Sequence, residues 1–247
     1  MDTTQFTTLI THPDRDVRLR AAMDAGTLHD PHVTAALVAR LGVEDDARVR
    51  ENLTWALVQH GDVAVPAVLA LLRSENPLER RQAAHVLSKI GDPSHVPHLL
   101  PVVADADPDV AIKAYRAAAS TGSPDVVHPL VARLGDGDAG QRDALSNAMQ
   151  QLGELGVGAL VEALGDGDAT VRLHAAEALA QIGEDARAAT TALAGRVADE
   201  DADVALAAVM ALGAVGGDDA AAVLGDVVSA GHQPLAAVAR RLVNAAA

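Results

Sequence analysis

The chain has no cysteine in its 247 residues. A disulfide framework, a thiolate nucleophile and a cysteine-ligated zinc site are therefore excluded together. Aromatic side chains are nearly as scarce: Phe6, Trp55 and Tyr115 are the only three, so no bulky aromatic core can form. Lysine occurs twice, as Lys89 and Lys113, and Lys plus Arg total 19 against 34 Asp plus Glu, a net charge of −15. Such an excess repels phosphate backbones and anionic lipid headgroups wherever no local patch reverses its sign, which argues against nucleic-acid and membrane partners. Long hydrophobic runs are missing too. The longest uncharged stretch, 204–217, has 14 residues rich in Ala and Gly, too short and too weakly apolar to span a bilayer. The first eleven residues lack a basic segment followed by an apolar run, so no signal peptide is read and a cytoplasmic location is the expectation.

What is present is alanine, 53 residues of it, within a hydrophobic fraction of 49%. A core closed by Ala, Leu and Val requires close approach of backbones, which suits helices, and with 21% charged residues the composition is that of a folded chain.

Internal periodicity organises these residues. Gly61, Gly91, Gly122, Gly153, Gly183 and Gly216 recur at spacings of 30, 31, 31, 30 and 33, each closing a stretch of helical periodicity where a left-handed residue is wanted. Leu37, Val68, Leu99, Leu130, Leu160 and Leu193 keep the same step, as do Leu41, Leu72, Val103, Leu134, Leu164 and Val197 four residues later on the same helix face. Phe6 and Ile10 extend the register at the front, and Leu224 and Val228 at the back. The expectation is eight helical hairpins in a single domain, 1–247, with approximate limits 3–29, 30–61, 62–91, 92–122, 123–153, 154–183, 184–216 and 217–247. Each has a first helix A, a short acidic turn and a second helix B. The turn ends on Asp14, Asp46, Asn76, Asp107, Asp138, Asp168 and Asp201, side chains able to cap helix B. The first copy departs from the pattern, with His29 where the closing Gly belongs and Asp24 at a core step of helix B.

The sixth helix B, from Val171 to Gly183, reads VRLHAAEALAQIG. This pattern resembles the HEAT repeat, in particular the short bilin-lyase-like subclass with repeats of about 30 residues. The resemblance implies an all-α fold, a right-handed α-solenoid with A helices on the convex side and B helices lining the concave side. It also implies that the Arg following the first apolar residue of helix B, here Arg18, Arg50, Arg80, Arg142 and Arg172, forms a ladder with the capping Asp between neighbouring repeats.

If the first apolar residue of helix B is position 0, the buried stripe runs through 0, 4, 7, 8 and 11, leaving 3, 6 and 10 exposed with 2 and 9 flanking. In the first four hairpins these positions hold Arg20, Arg81, Lys89, Lys113 and Arg116 against Glu51 alone. Trp55 shares the stripe, among Asn52, Gln59, Gln82 and His85. Aromatic and Arg residues on a concave face anchor interfaces, and amides serve extended backbone. The expected function is thus a non-catalytic scaffold or adaptor that binds an acidic or amide-binding peptide segment of another protein along repeats one to four. Its partner-binding residues would be Arg20, Asn52, Trp55, Gln59, Arg81, Gln82, His85, Lys89, Lys113 and Arg116. The resemblance implies an alternative, a bilin-lyase-like or other small-molecule accessory factor, with groove cations pairing tetrapyrrole propionates and Trp55 stacking.

No catalytic set, metal site or cofactor is assigned. His174 and Glu177 lie three apart on one helix, yet neighbouring positions supply no further ligands. No His-Glu dipeptide occurs, which excludes the deoxyhypusine hydroxylases, HEAT-like enzymes whose iron is bound by such dyads. His29, Asp30 and His32, and His60 with Asp62, are loop and cap residues, as are Asp105, Asp107 and Asp109, where Val110 stands in place of a calcium-loop glycine. The Gly-Asp-Gly-Asp runs at 135–138 and 165–168 carry carboxylates where a phosphate would sit. The last hairpin, ending at Ala247 with little polar capping, leaves a monomer and a weak dimer both open.

Overall fold

The computed structural model describes residues 3–231 and 233–246, and among them there is no β-strand. Ala247, the end of the eighth hairpin, lies outside the described residues. The helices run in chain order α1 (Thr3–Ile10), α2 (Arg15–Ala25), α3 (Pro31–Leu41), α4 (Ala47–His60), α5 (Val65–Leu71), α6 (Pro77–Ile90), α7 (Val96–Val103) and α8 (Pro108–Ser120). They continue as α9 (Val127–Val131), α10 (Ala139–Leu152), α11 (Glu154–Ala163), α12 (Ala169–Ile182), α13 (Thr190–Ala194), α14 (Ala202–Val215), α15 (Asp218–Ala230) and α16 (Gln233–Ala246). Odd-numbered helices are the A members of the hairpins and even-numbered helices the B members.

The chain divides into two compact units, 1–121 and 122–247. In the first, α2, α4, α6 and α8 pack side by side in order, with α1, α3 and α5 forming the layer behind. In the second, α10, α12, α14 and α16 do the same. Each unit is a short α-solenoid, and its B helices touch through alanine: Ala83, Ala84, Ala114, Ala117 and Ala118 in one, and Ala175, Ala176, Ala178, Ala208 and Ala211 in the other, are all buried. Small side chains let neighbouring axes approach to the short end of the 8–10 Å range.

Local chemistry sets every hairpin. Leu37, Val68, Leu99, Leu130, Leu160 and Leu193 are fully buried on their A helices. Asp14, Asp46, Asn76, Asp107, Asp138, Asp168 and Asp201 each cap a B helix by accepting a backbone N–H of its first turn. All six repeat glycines have positive φ. The first hairpin instead turns at Gly26 with ordinary right-handed backbone, and Asp24, placed by pattern at a core step, is exposed.

Gly91 shows what the glycine does. Its φ is +67°, and a Cβ there would lie 2.8 Å from the carbonyl oxygen of Ser120. Gly122 has a similar φ of +62° but open space around it. Gly122→Ala is expected to cost about 1–2 kcal/mol for the left-handed backbone, and Gly91→Ala more than that because a carbonyl must shift as well. Urea unfolding of the two variants checks the ordering.

The arginine ladder exists, but not with the capping residue. Arg18 Nε lies 2.8 Å from Glu44, Arg80 Nε 2.7 Å from Asp105 and Arg172 Nη2 2.8 Å from Asp199. Each of these acids stands two residues before a cap. The cap oxygen is already committed to the N–H groups of its own helix. The acid two residues earlier accepts the N–H of the cap residue and turns its carboxylate to the preceding repeat, as Glu44 does with Asp46 N, Asp105 with Asp107 N and Asp199 with Asp201 N. The same arginines donate to carbonyls of their own turn: Arg18 to His12 and Pro13, Arg80 to Ser74 and Glu75, Arg172 to Asp166 and Gly167. Arg50 makes only the carbonyl bonds, to Glu44 and Asp45, since Ser74 replaces the acid one repeat on.

Candidate functional site

Phe6 and Tyr115 are fully buried, whereas Trp55 is 46% exposed on α4. The indole is held on two sides. Its Nε1–H donates to Glu51 Oε1 at 3.1 Å, one helical turn back, and Lys89 Nζ on α6 sits 5.2 Å from the ring centroid. The second oxygen of Glu51 accepts from His85 Nε2 at 3.0 Å. Glu51 therefore ties α4 to α6. The hydrogen bond from His85 holds its carboxyl below the usual range. Burial pushes His85 down, and the proton it shares with Glu51 lies on Nε2, because a carboxylate can only accept.

Beside this cluster stand three cations. Arg81 on α6 reaches Asp109 at 4.0 Å. Burial lowers the Lys113 ammonium, and the nearby guanidinium groups of Arg81 and Arg116 lower it further. Arg116 is exposed on α8. The other expected site residues fall in several places. Asn52 is half-buried, with its amide donating to the carbonyl of Arg48 at 2.9 Å, and Gln59 is exposed and lies against Gly26. Arg20 is exposed on α2 in a separate crevice with Leu9, Asp16, Val17, Ala21 and Asp24, away from the cluster.

Two side chains expected on the open face are instead buried: Gln82 is 3% exposed and His174 1%. Both occupy position 3 of a B helix, as does Ala207, which is also buried. Side-by-side packing of B helices covers this flank on α6, α12 and α14, whereas at the same position Arg20 is exposed and Asn52 and Lys113 are half-buried. His174 shows the contact. It accepts the N–H of Gly135 at Nδ1 at 3.0 Å, and Nε2 lies 3.0 Å from the carbonyl of Arg142 and 3.1 Å from Ser146 Oγ, on α10. Accepting at Nδ1 places the proton on Nε2. Burial lowers its pKa, so the unfolded chain binds the proton more readily, and stability falls as pH drops below about 6.5. Thermal melts at pH 7 and pH 5 are expected to show a larger loss for the natural chain than for His174→Gln. His60 is committed in a similar way, with Nδ1 2.7 Å from Thr34 Oγ1 and Nε2 2.9 Å from the carbonyl of Ala25.

Sequence reasoning counted Glu51 as one opposing charge and missed that it organises the site. The signal was present as the Glu51 to Trp55 spacing of one helical turn. In the second unit the same face has a different character: a crevice of about 380 Å³ is lined by Leu173, Glu177, Ala180, Leu206 and Met210, without a cation. Among the described residues no single helix is long and apolar enough to cross a membrane.

Comparison with known proteins agrees with this architecture. A family model described as HEAT repeats matches residues 4–71, 65–150 and 157–243. No curated protein sequence matches the chain. Among solved structures, the karyopherin Kap121p bound to the SUMO protease Ulp1p is 13% identical with a TM-score of 0.59 over 97% of this chain and 32% of the karyopherin. The same karyopherin bound to the extreme C-terminus of the protein phosphatase Cdc14p is 12% identical, also with a TM-score of 0.59, over 99% of this chain and 33% of that one. This chain thus spans about a third of the karyopherin's length. The complex of CpcE and CpcF of phycocyanin lyase from Nostoc sp. is 22% identical with a TM-score of 0.45, covering 100% of this chain and 95% of that chain.

Proposed function

Since the chain belongs to the HEAT-repeat family, we propose that it is a non-catalytic adaptor whose first unit binds an extended, acidic segment of another protein across α4, α6 and α8. The observation that carries this reading is Trp55: a large apolar surface left open, yet fixed by Glu51 and Lys89 before any partner arrives. An anchor ordered in advance loses little side-chain entropy on binding, and Trp is among the residues most enriched at interface hot spots. Lys113 and Arg116 beside it supply the charge that draws carboxylates. The karyopherin of similar fold is bound in its structures to a protease and to the end of a phosphatase, which supports a protein segment as the ligand class.

The test is selection of a random-peptide display library on the purified chain. Acidic peptides are expected to be enriched, and the enrichment is expected to vanish with Trp55→Ala combined with Lys113→Glu while helicity by circular dichroism stays the same. Equal enrichment by the double variant would sink the reading.

A further inference from the structure

Arg81, Lys113 and Arg116 are gathered on α6 and α8 with little to balance them. Glu51 is already engaged by His85 and Lys89. Among the described residues Asp109 is the one carboxylate within 4 Å of these three cations, 4.0 Å from Arg81 Nε and largely exposed. Three cations against one carboxylate leave a local charge of +2. Among the described residues neither Lys113 nor Arg116 has an ion-pair partner within 4 Å. Arg81 Nε is, in addition, a buried donor with no hydrogen-bond partner. A buried guanidinium N–H without an acceptor is uncommon in folded proteins.

We propose that Arg81, Lys113 and Arg116 form a subsite for a phosphate monoester dianion carried by a side chain of the bound segment. The charge matches: −2 offsets +2, whereas a single carboxylate leaves half the excess. The donors match as well, because phosphate has three acceptor oxygens and guanidinium groups bind it through paired N–H bonds. Lys113 and Arg116 lie three residues apart on one face of α8, and Arg81 lies on α6, the helix packed against it, near enough for both guanidinium groups to act on the Lys113 ammonium. A carboxylate-rich segment without phosphate is the competing ligand. This inference rests on the reading of α4 to α8 as a peptide-binding face.

The test uses inorganic phosphate and acetate at equal ionic strength, followed by the backbone amide resonances of α6 and α8 in the full chain. Saturable shifts with phosphate are expected, with affinity about tenfold or more above that of acetate. Lys113→Gln and Arg116→Gln are each expected to weaken phosphate about tenfold, the loss of one charge-assisted contact, with helicity unchanged. Equal responses to phosphate, acetate and chloride would be screening alone and overturn the proposal, as would undiminished phosphate affinity in both variants. The two readings fail separately. Unphosphorylated acidic peptides that require Trp55, with phosphate no better than acetate, remove the phosphate subsite and leave the peptide site. Phosphate binding lost in the variants, with no peptide ever enriched, keeps the subsite and removes the peptide site.

Discussion

Glu44→Ala is expected to destabilise the first unit by about 3–5 kcal/mol, the range for breaking a buried ion pair from one side. Glu44 is fully buried and accepts from Arg18 Nε and Nη2, both at 2.8 Å, from Arg40 Nε at 2.7 Å and from Asp46 N at 3.0 Å. Removing it leaves the Arg18 guanidinium, 8% exposed at its side chain, with only the exposed carboxylate of Asp45 at 3.6 Å, and the first turn of α4 without an acceptor for Asp46 N. Against a typical domain stability of about 5–15 kcal/mol this is a large share. The double variant Arg18→Met with Glu44→Leu is expected to be less destabilised than Glu44→Ala, because no buried charge is left behind. The pH dependence has a definite sign. The hydrogen bonds from Arg18 and Arg40 outweigh burial and hold the Glu44 carboxyl well below its ordinary value, so its contribution is complete above about pH 4.5 and is lost progressively as pH falls further. In the second unit Arg172 lowers Asp199 to about 2, which places the loss of that clamp between about pH 4 and pH 2. Urea unfolding across this pH range measures both. A cost below about 1 kcal/mol for Glu44→Ala would show that the ladder contributes little.

Trp55→Ala is expected to weaken an acidic peptide by about 30-fold or more, the loss of one interface anchor worth at least about 2 kcal/mol. The stability of the chain is expected to change by less than about 1 kcal/mol, because the ring is nearly half exposed and its contacts to Glu51 and Lys89 lie at the surface. Trp55→Phe separates the two parts of the anchor: it keeps an aromatic surface and removes the N–H to Glu51, so an intermediate loss is expected. Lys113→Glu reverses a charge on the proposed peptide-binding face and is expected to add a further loss of about tenfold or more. Fluorescence anisotropy of a labelled acidic peptide, titrated with each variant, measures these factors.

The hairpins were legible because one repeat position is reused many times. A single Leu in an A helix says little, but Leu37, Leu99, Leu130, Leu160 and Leu193 at one step, all fully buried, make the periodicity unmistakable. The same holds for the capping Asx residues, whose role is decided by the nearest few backbone groups. What sequence spacing could not show depends on neighbours about 25 to 40 residues away. The partner of Arg18 is Glu44 and not Asp46, because the cap oxygen is spent on its own helix while the earlier acid is free to turn. Gln82 and His174 carry polar side chains on a flank that only the adjacent B helix covers, and His174 has a full set of partners from 135, 142 and 146. Glu51 looked like a lone opposing charge. Its position between Trp55, His85 and Lys89 emerges only when α4 and α6 are set side by side.

The most direct measurement is the emission of Trp55, the only indole in the chain, during titration with an enriched acidic peptide. The peptide is predicted to cover the exposed face of the ring, shifting its emission to shorter wavelength with a saturation curve that matches the affinity found by anisotropy, and a charge-reversed peptide is predicted to leave the spectrum unchanged. Binding of the acidic peptide with no change in Trp55 emission would contradict the account, because the partner would then lie elsewhere on the chain.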